Sequence, residues 1–371
     1  MKIEPFRLER YFAEHEFAAE HLLSSSDCEA LSLAWLLELA DDETGRLWNS
    51  MRLGYTETAG SPLLREEVSR LYAGIGPDCI LVAAPEEAIF IALNCLLEAG
   101  DHVVCTFPGY QSLYEIPAAL GSEVEMWRPE EEEGWRFDVG SLEAMVRPET
   151  RAIVVNFPHN PTGHLPTARD FRRVVEIASG TGAYLLSDEM YRFLELDPAG
   201  RLPPACELYD RAISLSGMSK AFGMAGARIG WLATTDREAY RKMAAFKDYT
   251  TICSSAPSEI LSLIALRARE TILERNLATI AANLVALDGF FARRSRLFDW
   301  VRPRAGTTCF PRMLFDRDAA EFCGEVTARS GVMLLPSNVF GVEGHVRIGT
   351  GRTGMPEALE RFERFLEEYG P

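Results

Sequence analysis

The sequence lacks paired cysteines and long apolar runs, and each absence excludes a class of protein. Its eight cysteines are scattered without a C-x-x-C pair, and several lie inside apolar segments. Buried reduced thiols are therefore favoured over disulfides or a metal site, which fits a cytoplasmic protein. No apolar run approaches the roughly 18 residues of a membrane span, and the first ten residues lack the apolar core of a signal peptide. We expect no membrane, no metal and no signal peptide.

Positive charge is also scarce. The chain has 55 acidic and 38 basic residues, and its formal net charge is -17. Binding to nucleic acid requires a basic surface that displaces counterions from the phosphates. We therefore expect small-molecule partners and no nucleic acid.

What the sequence does contain is a regular alternation of short apolar segments and helical patterns. Several segments are apolar almost throughout, as is typical of strands covered on both faces of a sheet. The alternation predicts an α/β fold with a mostly parallel sheet. Strands are predicted at 79–83, 102–106, 123–127, 151–156, 183–187, 211–215 and 229–233, with helices at 86–98, 110–120 and 167–179.

The pattern changes after Pro257. A helical pattern runs from 258 to about 294 without proline and without glycine before Gly289, and it predicts one long connecting helix. Predicted strands at 307–310, 332–335 and 345–348 then mix with helices at 319–330 and 356–369, as in a smaller α+β domain. We divide the chain into an N-terminal segment that packs with the small domain (1–48), a large domain (49–260), a connecting helix (261–295) and a C-terminal small domain (296–371).

One lysine lies among small residues, in the segment Ser-Gly-Met-Ser-Lys-Ala-Phe-Gly-Met-Ala-Gly-Ala-Arg-Ile-Gly at 216–230. A lysine amine forms a Schiff base with a carbonyl compound once it is deprotonated, and partial desolvation beside a cation favours the neutral amine. Lys220, with Arg228 eight residues on, suits that chemistry beside a bound phosphate. A surface lysine in a flexible loop would give the same local pattern.

Two further motifs follow predicted strands. The turn Asn-Phe-Pro-His-Asn-Pro-Thr-Gly at 156–163 presents Asn160 at the C-terminal edge of the sheet, where α/β proteins bind ligands. Another strand ends in Asp188, and Tyr191 follows three residues later. A carboxylate there can keep a ring nitrogen protonated through a charge-assisted hydrogen bond. Taken alone, the acid would equally suit a helix cap or a solvated strand end.

Together these motifs resemble the fold-type-I pyridoxal-phosphate enzymes, and specifically the class I and II aminotransferase family. The resemblance rests on P-H-N-P-T-G and on S-K-A-F-G-M-A-G-A-R, covers roughly residues 54–230 and extends more loosely to the C-terminus. It implies a three-layer αβα large domain of aminotransferase fold type I, with a smaller α+β domain built from the C-terminus and the N-terminal segment. It also implies pyridoxal 5'-phosphate as the coenzyme.

The resemblance implies a role for each matching residue. Lys220 matches the lysine that holds the coenzyme as a Schiff base and then carries the proton of the 1,3-shift. Asp188 matches the partner of the pyridine nitrogen, while Asn160 and Tyr191 match the residues that hydrogen-bond the 3-oxygen of the ring. Arg228 matches the arginine that binds the phosphate.

The phosphate cup departs from the family pattern. Pro85 and Glu86 follow the first strand, where a helix N-terminus would bind the phosphate. Pro85 offers no N–H and Glu86 adds negative charge, so we expect a weaker cup or one that uses later N–H groups. Gly217 replaces a phosphate-binding serine of many relatives, and Ser216 or Ser219 is the expected substitute.

Two tyrosines match aromatic residues of the family. Tyr110 matches the residue that stacks on the coenzyme ring, although a core aromatic is an alternative interpretation. Tyr55 matches a tyrosine that reaches the phosphate across a dimer interface. We therefore expect a homodimer with shared active sites.

Three further residues are candidates for contact with the substrate. Arg347 matches the arginine that binds the α-carboxylate in a bidentate pair, and Arg352 is the second candidate for that role. Asn160 is expected to contact the substrate as well as the coenzyme. Ser25 would meet a polar side chain, whereas the neighbouring Asp27 is expected to cap the helix that follows.

The resemblance implies an aminotransferase that exchanges the amino group of an L-amino acid with a 2-oxo acid in a ping-pong cycle. No arginine lies at 246–254, where dicarboxylate-specific relatives bind a second carboxylate, so a polar or cationic amino acid is open. The alternative keeps the fold and coenzyme but catalyses elimination, replacement or cyclisation, as capreomycidine synthase does. A coenzyme-binding regulator is disfavoured because the chain has no appended basic domain.

Overall fold

The computed structural model describes residues 2–370 as strands and helices in alternation. The strands are β1 (His21–Leu22), β2 (Ile80–Ala83), β3 (His102–Thr106), β4 (Glu123–Trp127), β5 (Thr150–Asn156), β6 (Tyr184–Asp188), β7 (Ala212–Gly217), β8 (Gly230–Ala233), β9 (Phe298–Asp299), β10 (Thr308–Cys309), β11 (Arg312–Met313), β12 (Val332–Met333), β13 (Leu335–Pro336) and β14 (Val346–Gly349). The helices are α1 (Arg7–His15), α2 (Leu33–Glu38), α3 (Asp42–Asn49), α4 (Pro62–Ser69), α5 (Pro85–Leu96), α6 (Ser112–Leu120), α7 (Val139–Met145), α8 (Ala168–Thr181), α9 (Arg237–Lys247), α10 (Ala256–Arg267), α11 (Arg269–Arg293), α12 (Ala319–Ser330) and α13 (Met355–Tyr369).

Seven of these strands form one large sheet in the order β2-β8-β7-β6-β5-β3-β4. β8 runs antiparallel to both of its neighbours, and the other pairings are parallel. These are the seven strands predicted between residues 79 and 233. The prediction of a mostly parallel sheet is confirmed.

Helices cover both faces of this sheet because both faces are apolar. In β5, Ala152 and Val154 pack into one core with α5, whereas Ile153 and Val155 pack into a second core with α8. Alternate residues of a strand point to opposite faces, so a strand buried on both sides must be apolar throughout. The three-layer αβα fold predicted from the family resemblance is confirmed.

The N-terminal segment joins the C-terminal part of the chain. β1 pairs in parallel with β12, and β14 lies between β10 and β13 in a second small sheet. α12 and α13 pack on these strands. This arrangement forms the smaller α+β domain of the fold class, while the domain boundaries given above stay predictions.

The predicted long helix at 258–294 is wrong in one respect, because the structure has two helices, α10 and α11. They are separated at Ala268, whose backbone has φ -94° and ψ 17°. Arg267 and Arg269 flank the break, and each has a guanidinium nitrogen 3.6 Å from a carboxylate oxygen of the buried Glu67. In a continuous helix these two side chains would point roughly 200° apart. The break lets both approach one carboxylate.

Candidate active site

A cavity of about 720 Å³ lies at the C-terminal ends of the parallel strands. Its volume is in the range of small-molecule and cofactor sites. Residues 6–17, which include α1, line one side of the cavity, and we call this segment the roof. The structure brings eleven of the predicted site residues to this cavity: Ser25, Pro85, Glu86, Tyr110, Asn160, Asp188, Tyr191, Ser219, Lys220, Arg228 and Arg347.

Tyr55 is the predicted site residue that does not line the cavity. Its side chain lies on the surface of the chain and is 90% exposed. Within one chain the structure therefore does not bring Tyr55 to the other site residues.

Lys220 follows β7 in a loop that packs against the N-terminal segment. Its Nζ donates a hydrogen bond of 2.9 Å to Ser26 Oγ, and its carbonyl accepts from Cys28 N at 3.4 Å. Gly223 has a φ of +63°, and a Cβ there would lie 2.5 Å from the carbonyl oxygen of Glu29. This close backbone contact fixes the loop, so Lys220 is not in a free surface loop.

Asp188 ends β6 and faces the cavity with only 5% of its surface exposed. Its Oδ1 accepts a hydrogen bond of 3.0 Å from Met190 N, and burial raises the pKa of this carboxyl to about 7. Glu189 turns into the protein instead and accepts hydrogen bonds from Ala205 N and Ser214 Oγ. The two acids are thus neither a solvated pair nor a helix cap.

Asn160 and Arg347 contact each other across the cavity wall. Arg347 Nη1 donates to Asn160 Oδ1 at 3.2 Å, and Nη2 donates to the carbonyl oxygen of Ser24 at 2.8 Å. Asn156 Oδ1 accepts from Asn160 N at 2.8 Å and holds the turn. Arg347 is 1% exposed, burial lowers its pKa to about 10, and its Nε has no hydrogen-bond partner among the described residues. A buried guanidinium group whose Nε–H has no acceptor is suited to bind an anion.

The two departures in the phosphate cup, Pro85 and Gly217, lie next to each other in the structure. A Cβ at Gly217 would lie 2.8 Å from Gly230 Cα and 3.2 Å from Pro85 Cγ. The backbone at Gly230 is the nearest obstacle to a serine side chain at position 217, and the ring of Pro85 lies beside it. Ser219, rather than Ser216, lines the cavity, and its buried hydroxyl has no partner among residues 2–370.

Glu86 lies in the cavity wall without an ion pair in the described part of the chain. Its carboxyl accepts a hydrogen bond from Ser112 Oγ, and burial raises its pKa. Tyr110 lies beside it, and burial raises the pKa of that phenol, followed by repulsion from Glu86. The raised pKa of Glu86 makes its negative charge less favourable in this part of the cavity wall than it is on the surface.

Asp27 does not cap the helix that follows it, which corrects the prediction. Both of its carboxylate oxygens accept from Arg352 Nη2, at 2.9 and 2.8 Å. α2 begins later, at Leu33, and its N-cap is Ser32. Arg352 is occupied by this ion pair and does not line the cavity, whereas Arg347 does.

The roof is the part of the site that the motifs above do not predict. Glu9, Phe12 and Glu16 line the cavity from α1 and its C-cap, and Phe17 follows them. Residues spaced by three or four lie on one face of a helix, and this spacing is visible in the sequence. It is a weak signal, because the same pattern fits any short amphipathic helix.

The residues present fit a phosphorylated pyridine aldehyde. Tyr191 and Ser219 are buried and have hydroxyl groups with no partner in the part of the chain that the structure describes. A buried carboxyl, a lysine and two arginines share their cavity. Within residues 2–370, no group of three or more histidine, cysteine or acidic side chains is arranged to hold a metal ion, and no helix has the length and apolar character to cross a membrane.

The fold and this donor set define a fold-type-I pyridoxal-phosphate enzyme. The family of class I and II aminotransferases matches residues 22–363, and the chain belongs to that family. The predicted family and coenzyme are confirmed. The protein is a pyridoxal-5'-phosphate-dependent transferase of a family that acts on amino acids and 2-oxo acids.

Several characterised relatives match almost the whole chain. Capreomycidine synthase of Streptomyces vinaceus is 29% identical over 365 residues, which are 98% of this chain and 93% of that protein. A PLP-dependent aminotransferase of Streptococcus suis superposes with a TM-score of 0.93 at 33% identity, covering 100% of this chain and 99% of the other. The PLP-dependent cyclase OrfR superposes with a TM-score of 0.91 at 28% identity, covering 99% and 98%.

Proposed function

We propose that this protein transfers the α-amino group of an L-amino acid to a 2-oxo acid, with Lys220 as the residue that holds the coenzyme and moves the proton. The observation that supports this proposal is the convergence of Lys220, Asp188 and Arg347 on one cavity. The first supplies an amine, the second a buried carboxyl for a ring nitrogen, and the third a buried cation for a carboxylate.

The chain offers a partner for each part of the coenzyme. Asp188 would hold the ring nitrogen, Tyr191 and Asn160 the 3-oxygen, and Tyr110 one face of the ring. Arg228, Ser219 and the first free N–H groups of α5, after Pro85, would hold the phosphate. When bound, the coenzyme supplies an electron sink for the electron pair left by a broken Cα–H bond.

The reaction itself requires the chain to orient a substrate and move one proton. Arg347 binds the α-carboxylate through its free Nε and its guanidinium edge, which directs the Cα–H bond toward Lys220. Lys220 Nζ then accepts the Cα proton and returns it to the neighbouring carbon. Ser26 Oγ accepts a hydrogen bond of 2.9 Å from Nζ, and residues of the roof line the cavity on the side of α1.

We also infer a homodimer in which Tyr55 reaches the phosphate of the partner chain. Tyr55 belongs to an exposed apolar surface with Leu53, Tyr249 and Ile252, which are 84%, 91% and 49% exposed. Hydrogen bonds from Thr56 to the carbonyl of Ser254 and from Thr58 to Asp248 hold these two segments side by side. An exposed patch of this kind is typical of an association surface. The eight unpaired cysteines support a reducing, cytoplasmic location.

The test is to mix the purified holoenzyme with single L-amino acids, first without and then with a 2-oxo acid. We expect conversion of the coenzyme to its amine form together with one equivalent of 2-oxo acid, and restoration of the starting spectrum by the acceptor. Release of ammonia, or more than one equivalent of product per active site in the absence of any acceptor, would contradict the proposal.

A second candidate is a cyclisation or elimination on the same coenzyme. It is supported by the similarity to capreomycidine synthase and to the cyclase OrfR over more than nine-tenths of each chain. Transamination and these alternative reactions would use Lys220 and Asp188 in the same way. They would diverge only after the Cα proton has been removed. Mass spectrometry of the product separates them, because a cyclised product retains its amino nitrogen.

A further inference from the structure

We infer that the substrate carries a cationic side chain, which Glu9 and Glu16 of the roof bind. This inference rests on the proposed function and adds the substrate class to it. The two carboxylates lie above the cavity that holds Lys220 and Arg347.

The roof presents its acids in a set geometry. Glu9, Phe12 and Glu16 are spaced by three and four residues, so they share one face of α1 and its C-cap, and that face lines the cavity. The helix is held from its other side by Arg7, which donates to Tyr114 Oη at 3.1 Å, and by Tyr11, which donates to the carbonyl of Leu334 at 3.1 Å. The packing of the helix therefore fixes the backbone positions of Glu9 and Glu16 beside the cavity.

Neither carboxylate has a partner. Within residues 2–370, the side chains of Glu9 and Glu16 accept no hydrogen bond and form no ion pair. Burial raises the pKa of Glu16, as does repulsion from Asp27 and Glu9. Arg352 and Lys220 act favourably on the charge of Glu16, but neither forms an ion pair with it.

The other charged residues of the cavity have contacts or assigned partners, and among them Glu86 accepts a hydrogen bond from Ser112 Oγ. Asp27 is paired with Arg352, and under the proposed function Asp188 pairs with the ring nitrogen and Arg228 with the phosphate. Arg347 would pair with the α-carboxylate, and its buried Nε, which lacks a partner in the described residues, indicates that a ligand is missing there. The carboxylates of Glu9 and Glu16 then remain for the substrate side chain.

The assignment of a partner to each charged residue of the cavity also disfavours a substrate with an acidic side chain. The basic residues that line the cavity in the described chain are Lys220, Arg228 and Arg347. Each of them has an assigned partner, so a second substrate carboxylate would find no unassigned cation in this lining. Near the roof it would be repelled by the like charges of Glu9 and Glu16.

Aromatic residues complete a site for a flat or compact cation. Phe12 and Phe17 lie beside the two acids, and the ring of Phe12 already lies 5.9 Å from the guanidinium carbon of Arg347. A guanidinium or ammonium group is attracted to the face of such a ring. A side chain that extends from the α-carboxylate at Arg347 toward the roof would place a terminal cation among these groups.

The experiment compares L-arginine with L-citrulline, its uncharged isostere, on the purified holoenzyme. The concentration of each that gives half of the coenzyme spectral change is measured for the wild type, for the double variant Glu9→Gln/Glu16→Gln and for Glu14→Gln. Glu14 is on the same helix but does not line the cavity, so it is the matched control. Coenzyme affinity and circular dichroism check that each variant is folded.

We expect the wild type and Glu14→Gln to favour L-arginine over L-citrulline by about tenfold or more, which corresponds to about 1.4 kcal/mol. The double variant should lose this preference by weakening the response to L-arginine alone. Equal responses to both amino acids in the wild type, or a preference that survives in the double variant, would overturn the inference and leave the proposed function standing. No spectral response to any amino acid would overturn the proposed function itself.

Discussion

At the scale of single residues, Asp188 illustrates how a functional site opposes stability. Its carboxyl is buried at the end of β6, and burial raises its pKa to about 7. In the coenzyme-free protein the ionised form is therefore costly near neutral pH, whereas a protonated ring nitrogen would compensate it. The residue is retained for its ligand and not for the fold.

We predict that Asp188→Asn stabilises the coenzyme-free protein at pH 8 by roughly 1–4 kcal/mol. The folded-state pKa lies above the unfolded value, so the stability that the protonated acid has below about pH 4 is lost as the pH rises through about 7. Asparagine does not titrate, so the variant keeps this stability at pH 8. Urea denaturation at pH 5 and pH 8 measures the effect, and an identical pH dependence for variant and wild type would contradict it.

The same substitution should weaken the bound coenzyme. We predict that Asp188→Asn lowers the affinity for pyridoxal 5'-phosphate and lowers the turnover by about 10²-fold or more, because the ring nitrogen loses its charged partner. Equilibrium dialysis and steady-state kinetics measure the two effects. An unchanged affinity and rate would show that the carboxyl does not contact the ring.

Lys220 gives the sharpest prediction at this scale. We predict that Lys220→Ala eliminates the visible absorption band of the lysine-bound coenzyme and reduces turnover by about 10³-fold or more. Absorption spectra of the reconstituted protein measure the first effect. Lys242→Ala, an exposed lysine of α9 paired with Glu238, is the control and should retain the band. A band that survives in Lys220→Ala would place the Schiff base elsewhere.

At the scale of elements, β14 holds the N-terminal loop against the cavity through glycine. A Cβ at Gly349 would lie 2.0 Å from the carbonyl oxygen of Ser25, and one at Gly351 would lie 2.2 Å from that of Asp27. Gly349 N also donates to the carbonyl of Leu23 at 2.8 Å. The loop that contains Ser25 and Ser26 thus lies directly on the strand, and only glycine permits this distance.

We predict that Gly349→Ala displaces this loop, destabilises the protein by about 1–3 kcal/mol and weakens the binding of the amino acid substrate. The added methyl group meets backbone, which cannot move aside as a flexible side chain would. Thermal denaturation and substrate saturation curves measure the two effects. Gly354→Ala is the control, because a Cβ there has nothing within 4 Å. Equal stability of both variants would contradict this account.

Elements that a local sequence pattern marks were predictable from the sequence. Features that depend on contacts between residues far apart in the chain were not. Several strands of the large sheet, such as β2 and the middle of β5, are apolar because both of their faces are covered, and this pattern is visible in the chain. The break at Ala268 has no proline or glycine to mark it, since it depends on the position of the buried Glu67. Similarly, the glycine at position 217 is explained only once the backbone of Gly230 is seen beside it in the neighbouring strand.

The residues of the site also divide into those that sequence motifs locate and those that they do not. Lys220, Asp188 and Asn160 lie in motifs whose spacing follows from strand ends, so they could be located by sequence alone. Glu9 and Glu16 come from a short helix far away in the sequence, and their place above the cavity is set by contacts with the C-terminal part of the chain. No local pattern carries that information.

At the scale of the whole molecule, the exposed surface around Tyr55 predicts a complementation between two inactive chains. A mixed dimer of Lys220→Ala and Tyr55→Ala chains would contain one site with both residues intact, if Tyr55 acts across the interface. We expect unfolding and refolding of an equal mixture to recover activity that neither variant has alone. Sedimentation of the wild type should give a dimer. A monomer, or a mixture without recovered activity, would contradict shared sites.

The roof, at the beginning of the chain, rests on residues near its end. Tyr11 donates to the carbonyl of Leu334, Arg347 donates to the carbonyl of Ser24, and β1 pairs with β12. Synthesis from the N-terminus therefore releases the roof long before its supports exist, while the large sheet and the Lys220 loop can fold in between. A nascent chain can expose the reactive lysine before it has an enclosed chamber. The order of translation thus places the lysine of the proposed coenzyme site ahead of Leu334, which supports the roof.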